Sequence, residues 1–97
     1  MTIVWTDESI AHLQQIKDYI SQDSSYWANL EIERILERAE TLSSFPRLGR
    51  TVPEYDNETI REIFEGDYRI IYRIVSEQQL DIIGIIHGAK RLQKEDD

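Results

Sequence analysis

The side chains best suited to chemistry lie in the second half of this 97-residue chain: Arg50, Arg61, Arg69, Arg73, Lys90 and Arg91, with His87 among them. Cations gathered around one histidine suit phosphoryl transfer, the arginines holding the developing negative charge and the imidazole moving a proton. The same arginines have a plainer use. Arg61 and Arg73 can pair across strands with Glu54, Glu62, Glu65 or Asp81, as surface residues of a sheet commonly do. Other chemistries find no footing. His12 and His87 belong to no ligand spacing, cysteine is absent, and no glycine-rich phosphate loop, nucleophile elbow or zincin motif occurs. His12 reads as an exposed helix residue and Gly49 as a turn residue. No metal or small-molecule cofactor is expected.

These groups must be positioned by the stretch Tyr68-Arg69-Ile70-Ile71-Tyr72-Arg73-Ile74-Val75. Its alternation predicts a strand with Tyr68, Ile70, Tyr72 and Ile74 on one face and Arg69, Ile71, Arg73 and Val75 on the other. Around it the chain reads in order. Residues 2–5 are β-prone, and Thr6 followed by Asp7 and Glu8 starts a helix whose stripe is Ile10, Leu13, Ile16 and Ile20. Asp23, Ser24 and Ser25 break it and offer a second N-cap. A longer helix of about 20 residues follows, marked by Trp27, Leu30, Ile35, Leu36, Ala39, Leu42 and Phe45, so the two helices form an αα-hairpin. Pro46, Gly49 and Pro53 make residues 46–54 an irregular loop. Residues 59–65 are a strand, Gly66-Asp67 a glycine-first hairpin turn, residues 76–79 a second turn, and residues 80–87 a strand apolar on both faces. The predicted fold is α+β in the order β-α-α-β-β-β, with the helical hairpin on one face of a mainly antiparallel sheet. If the helices cover the Tyr68 and Tyr72 face, then Arg69, Ile71 and Arg73, beside apolar positions of the last strand, form an uncovered docking surface. The face chosen by Ile60, Glu62 and Phe64 against Arg61, Ile63 and Glu65 stays open.

Length allows one domain, residues 1–97, ending in a polar tail at 88–97. No stretch approaches the roughly 20 apolar residues of a membrane span, and no secretory signal opens the chain, so a cytoplasmic protein is expected. The net charge of −8 lies in the first half and the tail, while residues 47–94 balance. A chain that neutralises many phosphates shows a basic excess, so strong direct nucleic-acid binding is not expected.

The loop Gly49-Arg50-Thr51-Val52-Pro53-Glu54, the run Arg61-Glu62-Ile63, the strand Tyr68-Arg69-Ile70-Ile71-Tyr72-Arg73 and the close Ile86-His87-Gly88 with Arg91 resemble, in order and spacing, the ParE/RelE superfamily of toxins from toxin–antitoxin operons, nearest its ParE branch. The resemblance implies a toxin that poisons DNA gyrase by protein contact and supports plasmid stabilisation. It also implies a cognate antitoxin, ParD-like or another acidic and apolar C-terminal segment, laid on Arg61, Arg69, Ile71, Arg73, Ile83 and Ile85. His87, Lys90 and Arg91 are candidates for the target contact. The alternative it implies is a RelE-like ribosome-dependent messenger RNA endonuclease using Arg69, Lys90, Arg91 and His87, and a third reading is a member that binds its antitoxin without toxicity. Ile60 and Glu62 stand where RelE carries lysines, and an acid there opposes phosphate binding.

Overall fold

The computed structural model describes residues 1–89. Its elements are β1 (Thr2–Trp5), α1 (Asp7–Ser21), α2 (Ser25–Glu40) with a 3-10 turn at Thr41–Ser43, β2 (Arg50–Thr51), β3 (Ile60–Glu65), β4 (Tyr68–Ile74) and β5 (Gln79–His87). One five-stranded sheet has the order β1-β5-β4-β3-β2, with β1 parallel to β5 and the other pairs antiparallel. Both helices pack on one face. Ile16, Ile35, Ala39 and Leu42 meet Ile63, Ile70, Tyr72, Leu80, Ile82 and Ile85 in the main core.

Local chemistry accounts for the helix starts. The Thr6 hydroxyl accepts from the Ser9 N–H at 3.2 Å and the Ser24 hydroxyl accepts from the Trp27 N–H at 3.2 Å, each satisfying a donor left over in a first turn. Thr6 also ties the helix start to the sheet, because its hydroxyl and N–H both donate to the Ile82 carbonyl and so extend the β1–β5 pairing into α1. Farther along β5, His12 takes over from the finished strand, its Nδ1 accepting from the Ile85 N–H at 3.1 Å. The expected exposed helix histidine is therefore a half-buried partner of the sheet backbone.

The helix stripes differ from expectation in detail. Ile10, Trp27, Leu36 and Phe45 are exposed, while Ser9 and Ala28 are buried. Helix α2 ends at Glu40, and the 3-10 turn at Thr41–Ser43 follows it before Pro46. The irregular loop also contributes the two-residue strand β2, because Arg50 and Thr51 lie beside Glu62 and Arg61.

The β3–β4 hairpin turns at Gly66 with φ of 56° and no positive φ at Asp67, as a glycine-first turn requires. Its register sets Phe64 opposite Arg69, Ile63 opposite Ile70 and Glu62 opposite Ile71. Parity in β3 is thereby decided: Ile63 enters the helix-side core, and Ile60 and Glu62 take the other face. Between Ile71 and Tyr72 the β4–β5 register shifts, leaving Ile83 as an extra residue in β5. This irregularity turns Ile85 to the helix side, where it is buried, while Ile83 packs beneath the opposite face.

Candidate functional site

The face away from the helices is partly covered by the chain itself. Residues 52–55 form a turn closed by the Tyr55 N–H donating to the Val52 carbonyl, with Pro53 at its second position. Val52 inserts into a second small core with Ile60 and Ile71, flanked by Tyr55 and Ile83. The surface expected to lie open over Arg69 and Ile71 is thus closed by this strap, and both residues are buried. Arg73 stays exposed on the same face and Ile83 half-exposed.

Under the strap four of the described residues form an ion network. The Arg69 Nε donates to the Glu62 Oε1 at 2.6 Å, and its Nη1 and Nη2 donate to the two oxygens of Glu54, each at 2.9 Å. Glu62 in turn accepts from the Arg50 Nε at 2.6 Å through its other oxygen. The Glu62 side chain is fully buried, that of Arg69 is 6% exposed, that of Glu54 16% and that of Arg50 61%. The two cations and two carboxylates brought together among the described residues compensate one another, which is how a buried carboxylate is tolerated in an apolar surround. The Arg69 guanidinium is pushed above its ordinary range, first by the hydrogen bond to Glu54, with burial opposing and Glu62 adding. Beside the network opens a pocket of about 340 Å³ lined by Arg50, Pro53, Glu54, Phe64, Arg69 and Gly88. Arg50 also lies over the Phe64 ring at 5.4 Å from its centroid.

The loop leading into β2 is pinned from the other face. Tyr72, wholly buried, donates its hydroxyl proton to the Pro46 carbonyl at 2.6 Å and accepts from the Gly49 N–H at 3.0 Å. Burial is the main reason its phenol is pushed up, so it remains neutral. Arg61, opposite Tyr72 in the register, donates to the Gly49 and Glu58 carbonyls. It staples backbone on the helix-bearing face and does not join Arg69. Gly49 is more than a turn residue: a Cβ there would stand 2.5 Å from the Glu62 carbonyl oxygen.

The sequence-predicted residues are therefore divided. Arg69, Ile71, Arg73 and Ile83 share the strap face, while Arg61 and Ile85 belong to the helix side. His87 faces Tyr68 in the register, their rings edge-to-face at 5.9 Å, and Tyr68 packs on the helix-side core. Neighbours on a strand point to opposite faces, so His87 and Arg69 sit on opposite sides of the sheet. The His87 Nδ1 accepts from the Ala89 N–H at 3.2 Å. Lys90 and Arg91 lie outside the described residues. Arg69 pairs with Glu54 and Glu62, acids that the sequence suggested as partners for other arginines. The Glu62–Arg69 contact had a legible signal, since the hairpin register places the two diagonally on one face. Glu54 had none, because its approach depends on how the strap returns. Among the described residues no group of three or more acids or histidines is placed to hold a metal, and no helix is long and apolar enough to cross a membrane.

In the middle of α2, beside the β3–β4 turn, Glu31 is raised above the ordinary carboxylate value of 4.5, first by burial and then by Glu65, with Asp67 adding and Arg34 opposing. A raised carboxylate contributes stability that is present below 4.5 and is lost as pH rises through its folded value. Glu31→Gln, permanently neutral, is expected to melt higher than the parent at pH 7, the difference vanishing by about pH 4. Thermal melts of both proteins at the two pH values check this; a difference of equal size at both would remove the electrostatic account.

Comparison with known proteins agrees with this architecture. The family described as ParE toxin of type II toxin-antitoxin system, parDE, matches residues 3–92. The chain is 31% identical over 88 residues to Toxin RelE2 of Caulobacter vibrioides, covering 91% of this chain and 96% of that one. It superposes on a chain of the chromosomal ParDE TA system from P. aeruginosa with a TM-score of 0.74 and 20% identity, covering 90% and 95% of the two chains, a likeness of fold. The chain belongs to the ParE toxin family of type II toxin–antitoxin systems, within the ParE/RelE superfamily.

Proposed function

We propose that this toxin acts by protein contact on DNA gyrase and is neutralised by an antitoxin segment that is both acidic and apolar. Membership of the family implies the antitoxin; the gyrase target is the step beyond it. The observation that supports contact over RNA cleavage is the ion network. Arg69, the arginine a RelE-like nuclease would aim at the scissile phosphate, instead donates to Glu54 and Glu62, and His87 stands across the sheet from it. A cation already neutralised by two carboxylates offers little to a developing phosphoryl charge. In this reading the antitoxin meets Arg73 and Ile83 on the strap face and reaches Arg69 through the pocket, while His87 and the tail with Lys90 and Arg91 serve the target contact.

The name of the Caulobacter relative favours the RelE-like reading as the alternative. Expression of the chain in a bacterium with and without the adjacent open reading frame, following supercoiling and messenger RNA together, separates the two. DNA breaks with intact RNA are expected. Rapid cleavage of translated RNA, abolished by Arg69→Ala, would overturn the proposal in favour of the nuclease. Absence of arrest by the folded protein would leave an antitoxin-binding member without toxicity.

A further inference from the structure

The bidentate geometry between Arg69 and Glu54 is that of a guanidinium reading a carboxylate, and the carboxylate belongs to a surface turn. Glu62 holds the other edge of the same guanidinium from a fully buried position, so the Arg69 plane is set without Glu54. Lifting Glu54 away therefore leaves a prepared fork, facing the pocket in which the partly exposed Arg50 supplies a second cation. It also changes the local charge. Arg50, Arg69 and Glu62 together carry +1, and an incoming anion of −1 restores the balance that Glu54 provided. A singly charged, planar carboxylate satisfies both geometry and charge, whereas a phosphate dianion overshoots it and meets Glu62 behind the arginine. The exposed Phe64 and Pro53 in the pocket wall favour an apolar group next to that carboxylate.

We propose that Arg69 and Arg50 form a carboxylate-binding site which Glu54 occupies from within, and that a carboxylate of the antitoxin exchanges with Glu54 when the partner docks. Assigning the incoming group to the antitoxin rests on the functional reading above; the site itself does not. Exchange replaces one bidentate ion pair with another, so the strap opens without baring the guanidinium edge that Glu54 holds. Val52, anchored in its own small core, acts as the hinge side of the strap.

The test uses the whole chain and its Glu54→Gln variant, observed through the NMR signal of the Arg69 Nε–H. The probes are two acetylated dipeptides, leucyl-glutamate amide with a side-chain carboxylate and leucyl-leucine acid with a terminal one, alongside uncharged leucyl-leucine amide and inorganic phosphate. Removing an internal competitor raises apparent affinity by the inverse of the open fraction, so Glu54→Gln is expected to bind a charged dipeptide roughly tenfold or more tightly than the parent. The uncharged dipeptide should bind neither protein. Whichever charged dipeptide binds better identifies a side-chain or a terminal carboxylate as the natural group. In the parent protein, a saturating charged dipeptide should speed amide exchange at Glu54 and Tyr55 while Ile70 stays protected. This second measurement stands even if the variant fails to fold. A folded variant with no gain, tighter binding of phosphate than of either carboxylate, or strap amides indifferent to the dipeptide would overturn the proposal. None of these readouts involves gyrase or growth, so failure here and failure of the gyrase reading are separately visible.

Discussion

Glu62→Ala should be the most damaging single truncation at the ion network, costing about 3–5 kcal/mol, because it strips the buried Arg69 guanidinium of a fully buried carboxylate partner. For a chain this size total stability is roughly 5–15 kcal/mol, so the variant loses a large fraction of it. At about 4–8 °C per kcal/mol, its melting temperature should drop by more than about 12 °C. The reason lies in position: Glu62 is fully buried and bridges Arg69 to Arg50, whereas Glu54, at 16% exposure, leaves its partner partly reachable by water. Glu54→Ala should accordingly cost less. Replacing both buried partners, as in Glu62→Leu with Arg69→Met, should recover much of the loss, since a buried pair is often worth little against apolar residues of similar size. Urea unfolding of the three variants checks the order. A double variant no more stable than Glu62→Ala would mean that the strap, deprived of Arg69, fails to close at all.

Gly49→Ala is expected to cost about 1–3 kcal/mol or more, the range of overpacking in a site that cannot relax. Its new Cβ would meet the Glu62 carbonyl oxygen at 2.5 Å, the Tyr72 hydroxyl at 2.8 Å and the Glu62 carbonyl carbon at 2.9 Å. None of these is the far end of a flexible side chain. The Glu62 atoms belong to strand β3, and the Tyr72 hydroxyl is held between Pro46 and Gly49. Tyr72→Phe removes that hydroxyl and leaves the Gly49 N–H without its acceptor, at about 1–3 kcal/mol. Because both changes act on the same loop, their effects should be less than additive, and a double-mutant cycle in urea measures the shortfall. Full additivity would show that the loop is not held at a single point. Gly49→Ala should also displace the neighbouring Arg50 from Glu62, so strap amides are expected to exchange faster in it.

Much of the architecture follows from local rules applied to consecutive residues. Thr6 and Ser24 cap the two helices because their hydroxyls can reach first-turn N–H groups, and Gly66 turns the hairpin because it accepts a positive φ. Alternation along residues 68–74 divides Tyr68, Ile70 and Tyr72 from Arg69, Ile71 and Arg73, and β4 keeps that division. Each of these depends on atoms a few residues apart, so the amino-acid order by itself determines the α+β arrangement of a helical hairpin on one sheet face, and with it the family resemblance.

The tertiary structure decided what the arginines do. Residues 52–55 return over the sheet because Val52 finds a place between Ile60 and Ile71, and that return brings Glu54 to Arg69 across fifteen residues of chain. An extra residue in β5 reverses the side taken by Ile85, and the end of β1 at Trp5 leaves a backbone N–H for His12 to accept. Periodicity is blind to such events, since one inserted residue inverts every later side chain and a loop's path has no period at all. An arginine's charge is written in the sequence, but whether that charge is open to a ligand depends on which carboxylates the folded chain brings within 3 Å of it.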